Sequence, residues 1–87
     1  MNIRFHPDAE TEFKDAVTWY AQQRTGLDAD FVLCIDEALQ RISRTPMMYP
    51  KVHREIRKTI VRMFPFCIFY ILGNDEIKII ASFHSRR

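Results

Sequence analysis

Cationic and titratable side chains are concentrated in one stretch of the second half of the chain. Six of them lie between positions 51 and 62: Lys51, His53, Arg54, Arg57, Lys58 and Arg62. Such a group can neutralise several phosphates, and binding of that kind weakens as the salt concentration rises. The same charges also suit a solvated edge strand, where they block aggregation. The stretch alone leaves both interpretations open.

A second cationic group closes the chain with His84, Arg86 and Arg87. Strand pairing would bring this group beside the first one. Arginine binds phosphate through two parallel hydrogen bonds, and histidine exchanges a proton near neutral pH. The two groups together therefore favour a basic surface that meets polyanions.

The same residue types suit RNA cleavage, in which a base activates the 2′-hydroxyl, cations stabilise the phosphorane, and an acid protonates the leaving oxygen. The acid and base groups of this half are His53, Glu55 and His84. An exposed histidine is more often a bystander than a base. The sequence has no Gly-rich phosphate loop, and Cys34 and Cys67 lack metal-ligand spacing, so we expect no cofactor and no metal.

Charge divides sharply along the chain although the formal net charge is only +2. Residues 1–40 contain three basic and eight acidic side chains, a net of −5, whereas residues 41–87 contain ten basic and three acidic ones, a net of +7. A basic face can therefore exist within a nearly neutral protein.

Hydrophobic periodicity predicts two helices after a short first strand at residues 2–6. Apolar residues from Ala9 to Tyr20 recur at spacings of three and four, which predicts an amphipathic helix at about 8–24. Gly26 provides the break, and a second helix with the same period follows from Leu27 and ends before Pro46. We expect the two helices to form an antiparallel hairpin.

The second half of the chain has strand patterns. Residues 56–63 are β-branched and basic, and residues 66–72 are apolar on both faces, which predicts a central strand. After a turn at residues 73–75, core-facing and outward-facing residues alternate along the last predicted strand. Its predicted core face is Ile77, Ile79, Ala81 and Phe83, and its other face is Lys78, Ile80, Ser82, His84 and Arg86.

This order predicts an α+β fold, β-α-α-β-β-β, with the helical hairpin packed on one face of a small, mainly antiparallel sheet. A length of 87 residues is enough for one hydrophobic core, so we expect a single domain over residues 1–87. The N-terminus lacks the apolar segment of a secretory signal, and no apolar run is long enough to span a bilayer. We therefore expect a cytoplasmic protein without a membrane partner.

The chain also resembles the RelE/ParE family, the toxins of type II toxin–antitoxin modules that are often called plasmid stabilisation proteins. The matching segments run from one end to the other: Phe5–Pro7 with Ala9–Glu10, Trp19–Tyr20, Gln23–Leu27, Phe31, Pro46 with Tyr49–Pro50, Ile56–Arg57, Phe64–Phe66, Phe69–Tyr70, and Phe83–His84 with Arg86–Arg87. The resemblance implies the same fold, growth inhibition, and neutralisation by an antitoxin. It also allows a heterotetramer or a larger complex with that antitoxin.

The family contains inhibitors of DNA gyrase, which resemble ParE, and ribosome-dependent mRNA endoribonucleases, which resemble RelE. For a nuclease without metal, the resemblance implies Arg62, His84 and Arg86 as catalytic residues. Ser85, however, stands where that branch has a tyrosine, and the Gln23–Leu27 pattern is similar to ParE members. We therefore favour a gyrase-directed toxin over a ribosome-bound nuclease, and an inactive module that retains only antitoxin binding is the third reading.

Under either active reading, the residues expected to contact the target or nucleic acid are Arg54, Arg57, Lys58, Arg62, Arg86 and Arg87. Trp19 lies beside the main apolar stripe of the first helix, which makes it a candidate anchor for the antitoxin. A structural tryptophan at the seam between the helices is the alternative.

Overall fold

The computed structural model describes residues 2–84, with only the backbone of Phe83 and His84 included. The elements follow one another along the chain as β1 (Asn2–Phe5), α1 (Pro7–Gln23), α2 (Leu27–Arg44), β2 (Lys51–His53), β3 (Ile56–Ile60), β4 (Phe66–Gly73) and β5 (Glu76–His84). The two helices of the predicted hairpin are therefore confirmed, and each begins and ends within two residues of its predicted bounds.

Local chemistry explains where the helices begin and end. The Nδ1 atom of His6 accepts a hydrogen bond from the backbone N–H of Asp8 at 3.0 Å, and Pro7 occupies the first helical position. Gly26, with a φ of 87°, allows the sharp reversal between α1 and α2. No helix within residues 2–84 is long and apolar enough to cross a membrane.

The five strands form one sheet in the order β1-β5-β4-β3-β2. β1 runs parallel to β5, and all other neighbours are antiparallel. The α+β fold is thus confirmed, and β4 is the central strand, as its apolar sequence predicted. Parallel neighbours need a long connection, and here the chain passes through both helices and the strands β2, β3 and β4 between β1 and β5.

The extent of one strand and the presence of another differ from the prediction. The third strand ends at Ile60 rather than at residue 63, because the N–H of Val61 donates to the carbonyl of Phe66 and Met63 adopts a φ of 67° in the turn. The short strand β2 was not predicted. It has only three residues, all exposed, and therefore lacks the hydrophobic alternation that identifies a strand.

The predicted alternation of β5 is wrong after Ile79, because the strand contains a bulge. Tyr70 pairs with Ile79 but Phe69 pairs with Ala81, so Ile80 is the extra residue. One inserted residue moves the following side chains to the opposite face. Ser82, which we expected on the polar face, is consequently buried, and its hydroxyl lies 3.3 Å from the carbonyl oxygen of Ala9 in α1.

Phe31 lies at the centre of the core, between both helices and the sheet. Its ring is stacked on Phe13 at 6.0 Å and meets Tyr20, Phe64 and Phe66 at centroid distances of 4.6, 5.1 and 5.0 Å. The side chain is fully buried. Aromatic contacts of this kind add stability beyond the burial of apolar area.

We predict that Phe31→Ala lowers the free energy of unfolding by about 3 to 5 kcal/mol, because it leaves a cavity that the surrounding rings cannot fill. Leu33→Ala, two residues away on the same helix but 67% exposed, is the matched control and should change stability by less than about 1 kcal/mol. Urea unfolding followed by circular dichroism measures both. Equal losses for the two variants would contradict the central position of Phe31.

Candidate functional surface

Neighbouring cations of β3 lie on opposite faces of the sheet. Arg57 pairs with Tyr70, a core residue on the helix side, and Lys58 pairs with Phe69. Because successive residues of a strand point in opposite directions, Lys58 lies on the face that the helices do not cover. The basic strand that the sequence indicated is therefore divided between two environments.

The buried cation Arg57 holds the loop between α2 and β2. Its side chain is only 9% exposed, and its Nη1 atom donates to the carbonyl oxygens of Met47 at 3.1 Å and Tyr49 at 2.6 Å. Hydrogen bonds from a charged donor are stronger than those between neutral groups. This places Arg57, one of the predicted target-binding residues, within a structural hydrogen-bond network.

The same loop has a second attachment through Tyr70. The phenol donates to the carbonyl oxygen of Pro46 at 2.7 Å. Burial raises the pKa of Tyr70 above its ordinary value, so the hydroxyl stays protonated and can donate at all physiological pH values. Two buried donors thus fix the loop, while the side chains of Met47 and Met48 remain exposed.

Arg62 contacts an acidic residue that the sequence did not single out. Its Nε atom lies 3.8 Å from Oε1 of Glu37, whose Oε2 accepts a hydrogen bond from Arg41 Nε at 2.7 Å. Burial opposes the charge of Arg41, but hydrogen bonding and electrostatic attraction from Glu37 and Tyr49 together outweigh this effect and raise the pKa of the guanidinium. The spacing of four residues between Glu37 and Arg41 indicates their pairing. The contact with Arg62, made by the turn after β3, has no sequence signal.

The remaining predicted residues occupy separate positions. Arg54 lies in the turn between β2 and β3 with a φ of 52°, and its side chain is exposed. The backbone of His84 pairs with Phe66 at the end of β5, whereas its side chain, Arg86 and Arg87 lie outside the described residues. Arg54, Lys58 and Arg62 are thus on a turn, on the open face of the sheet, and beside α2.

Trp19 is exposed on α1. About half of its surface, 49%, is accessible, and its ring meets Tyr20 edge to face at 5.1 Å. The indole therefore combines a fixed position with a large accessible apolar area, as anchor residues in interfaces do.

Described residues line two surface cavities that the sequence did not predict. One, of about 490 Å³, lies between α2 and the turn after β3 and is lined by Arg24, Leu27, Asp30, Leu33, Cys34, Met63 and Phe64. The other, of about 470 Å³, lies at the edge of the sheet and is lined by Arg41, Tyr49, Pro50, Val52, Lys58, Thr59 and Ile60. Each is formed by segments that are distant in sequence.

The ParE toxin family of type II toxin–antitoxin systems, parDE, matches residues 3–87. This chain belongs to that family. No curated protein matches the chain.

A solved structure confirms the fold. The chain is similar to a chain of the chromosomal ParDE toxin–antitoxin system from P. aeruginosa, with a TM-score of 0.82 and 15% sequence identity. The similarity covers 99% of this chain and 97% of the other. At that level of identity the likeness concerns the arrangement of helices and strands rather than the site residues.

We predict that Arg57→Gln lowers the free energy of unfolding by about 1.5 to 3 kcal/mol, since it removes charge-assisted bonds to two carbonyl groups of the loop. Arg54→Gln, an exposed arginine three positions earlier, should cost less than about 0.5 kcal/mol. Denaturant unfolding of the two variants provides the comparison. If Arg57→Gln proves as stable as Arg54→Gln, the loop does not depend on this side chain.

Proposed function

We propose that the protein is a toxin that arrests growth by binding DNA gyrase, and that a cognate antitoxin neutralises it. Membership of the ParE toxin family supports the toxin role and the antitoxin partner. The proposal assigns the exposed cations to target binding and gives the protein no hydrolytic step.

The division of the β3 cations is the observation that supports binding over cleavage. Cleavage of RNA needs cations and proton-transfer groups arranged around one phosphate. Here Arg57 is bound to loop carbonyls, Arg62 contacts Glu37, and Lys58 lies on the open face. These three cations thus have different environments, and a binding surface does not require its cations to converge on one phosphate.

Of the described residues predicted to contact the target, Arg54 and Arg62 are exposed and Lys58 is partly exposed. Positive charge on accessible strands and turns raises the rate of encounter with an anionic partner and contributes less to its final affinity. In this proposal these cations direct the toxin to gyrase. Arg57 instead has a structural role, because it holds the loop between α2 and β2.

We predict that His84→Ala still arrests growth when the toxin is induced, because a binding toxin transfers no proton and a histidine at an interface rim contributes little. In a nuclease the same change would remove a contribution of about 10²-fold or more in rate. Colony counts after induction measure toxicity. Loss of arrest in His84→Ala, with transcripts cut on ribosomes, would replace this proposal with the nuclease reading.

Arg62→Glu is the complementary variant. We predict that it reduces growth arrest, because it reverses an accessible charge. Lys14→Glu reverses an exposed cation on α1 and should leave arrest unchanged. Antitoxin binding by each variant controls for folding. Full growth of cells that express soluble unaltered protein would leave only the inactive module.

We further propose that Trp19 anchors the antitoxin. Antitoxins that fold on binding gain affinity by covering exposed apolar surface, and a fixed, half-exposed indole provides such surface. Trp19 belongs to α1, whereas the cations assigned to the target belong to β3 and to the turns on either side of it.

We predict that Trp19→Ala weakens antitoxin binding by more than about 1 kcal/mol, roughly fivefold in Kd, while the domain stays folded. Met48→Ala removes a comparably exposed apolar side chain from the loop and should have little effect. Calorimetric titration gives both affinities. If Trp19→Ala unfolds the protein, or binds as tightly as the unaltered chain, Trp19 is structural instead.

A further inference from the structure

Arg62 lies on a turn whose two ends are held by the core. The N–H of Val61, a buried residue, donates to the carbonyl oxygen of Phe66 at 2.9 Å. On the other side of Arg62, the ring of Phe64 meets that of Phe31 at 5.1 Å. The backbone of Arg62 is therefore fixed, although its side chain is 70% exposed.

Glu37 of α2 is fixed beside this turn by Arg41. The guanidinium of Arg41 donates from Nε to Glu37 Oε2 at 2.7 Å and from Nη2 to the carbonyl oxygen of Ile60 at 3.1 Å. One planar group thus joins α2 to the end of β3, just before the turn. The carboxylate of Glu37 consequently has a defined position relative to Arg62.

The second oxygen of Glu37 still needs a donor. Oε1 is almost inaccessible to solvent and accepts no hydrogen bond from the described residues. The Nε atom of Arg62 lies 3.8 Å from it, a distance that suits an ion pair but is too long for a hydrogen bond. A buried carboxylate oxygen without a donor is costly, so a closer approach of Arg62 Nε is favourable.

The outer end of the Arg62 side chain is available to a partner. Its Nη1 and Nη2 atoms donate no hydrogen bond to the described residues. The two Nη groups of one guanidinium can bind both oxygens of a carboxylate. A guanidinium whose Nε atom is already held by Glu37 loses less conformational freedom on binding such a group.

The surroundings of Arg62 favour a protein carboxylate over a nucleic-acid phosphate. Met63, the next residue, is 91% exposed, and Ile60 at the end of β3 is also exposed. Arginine and methionine are enriched in protein–protein interfaces, whereas interfaces with DNA are more polar and more positively charged. An exposed arginine beside large apolar side chains therefore suits contact with another protein.

We propose that Glu37 is a positioning residue that holds the Nε atom of Arg62, so that the two Nη groups bind one carboxylate of DNA gyrase. This role rests on the proposed function, which assigns Arg62 to the target, and it adds the chemistry of the contact. A carboxylate bound at the outer end also strengthens the contact with Glu37, because successive hydrogen bonds polarise one another.

A positioned guanidinium and a steering charge have different kinetic effects. A charge that acts at a distance changes the association rate, whereas loss of a close, directed contact speeds dissociation. Glu37→Gln keeps an oxygen for Arg41 but presents an amide NH2 group to Arg62, which it cannot hold. The same variant makes the surface more positive, so steering alone would speed its association and tighten binding.

Surface plasmon resonance on immobilised DNA gyrase measures both rates for the full chain. We expect Glu37→Gln to dissociate about three- to tenfold faster than the unaltered chain, with association no slower. Asp36→Asn removes an exposed carboxylate one position earlier on α2 and is the matched control, which should dissociate at the unaltered rate. Arg62→Lys keeps the charge without the paired Nη groups. It should also dissociate faster, and adding Glu37→Gln to it should change the rate by less than about twofold.

A second measurement does not involve gyrase. In the isotope-labelled full chain, the heteronuclear nuclear Overhauser effect of the Arg62 Nε–H group reports its fast motion. We expect a restrained group in the unaltered chain and in Asp36→Asn, and a mobile one in Glu37→Gln. The Nε–H group of Arg41 should stay restrained in all three, which shows that the contact between helix and sheet survives.

The two measurements separate the role of Glu37 from the proposed function. Failure of the unaltered chain to bind gyrase overturns the proposed function and the partner named here. If gyrase does bind, the positioning role is overturned when Glu37→Gln dissociates at the unaltered rate or when Asp36→Asn has the same effect. It is also overturned when Arg62 is equally mobile with and without Glu37, or when Glu37→Gln keeps its full effect in the Arg62→Lys background.

Discussion

The contacts of Phe31 determine how the two halves of the molecule are joined. Its ring touches α1 through Phe13 and Tyr20, the central strand through Phe66, and the turn after β3 through Phe64. A buried aromatic side chain of this size requires partners on every side. Both helices are therefore placed on one face of the sheet, and the other face carries Lys58 together with the apolar side chains of Phe69 and Ile60, all at least partly exposed.

Acidic residues of the helices contact groups in the second half of the chain. The division of charge along the sequence therefore also reflects contacts within the protein. Glu37 lies between Arg41 and Arg62, and Glu12 accepts the backbone N–H of Ser82. A partly buried cation is acceptable only when such partners compensate for its lost hydration. Some of the charged side chains therefore stabilise the contact between helices and sheet. Only the other charged side chains are fully accessible to a partner.

The sequence predicts the elements well where a pattern is long. The period of α1 and α2, the apolar run of β4 and the turn at residues 73–75 all have signals that arise from neighbouring residues. It fails where the outcome depends on pairing between distant segments. The bulge at Ile80 reverses the faces of β5, and the three residues of β2 carry no period of their own. Similarly, the alternation of a strand predicts that Arg57 and Lys58 lie on opposite faces of the sheet. Which of the two is buried depends on the loop carbonyl groups that accept hydrogen bonds from Arg57.

We propose that this ParE-family chain acts on gyrase through its accessible cations and that it cleaves no RNA. The most direct measurement adds purified protein to DNA gyrase and follows supercoiling of a relaxed plasmid, beside a translation reaction that reports the integrity of messenger RNA. We predict that supercoiling is inhibited in proportion to the protein added, that the cognate antitoxin restores it, and that transcripts remain intact. Unimpaired supercoiling together with transcripts cut on the ribosome would contradict it.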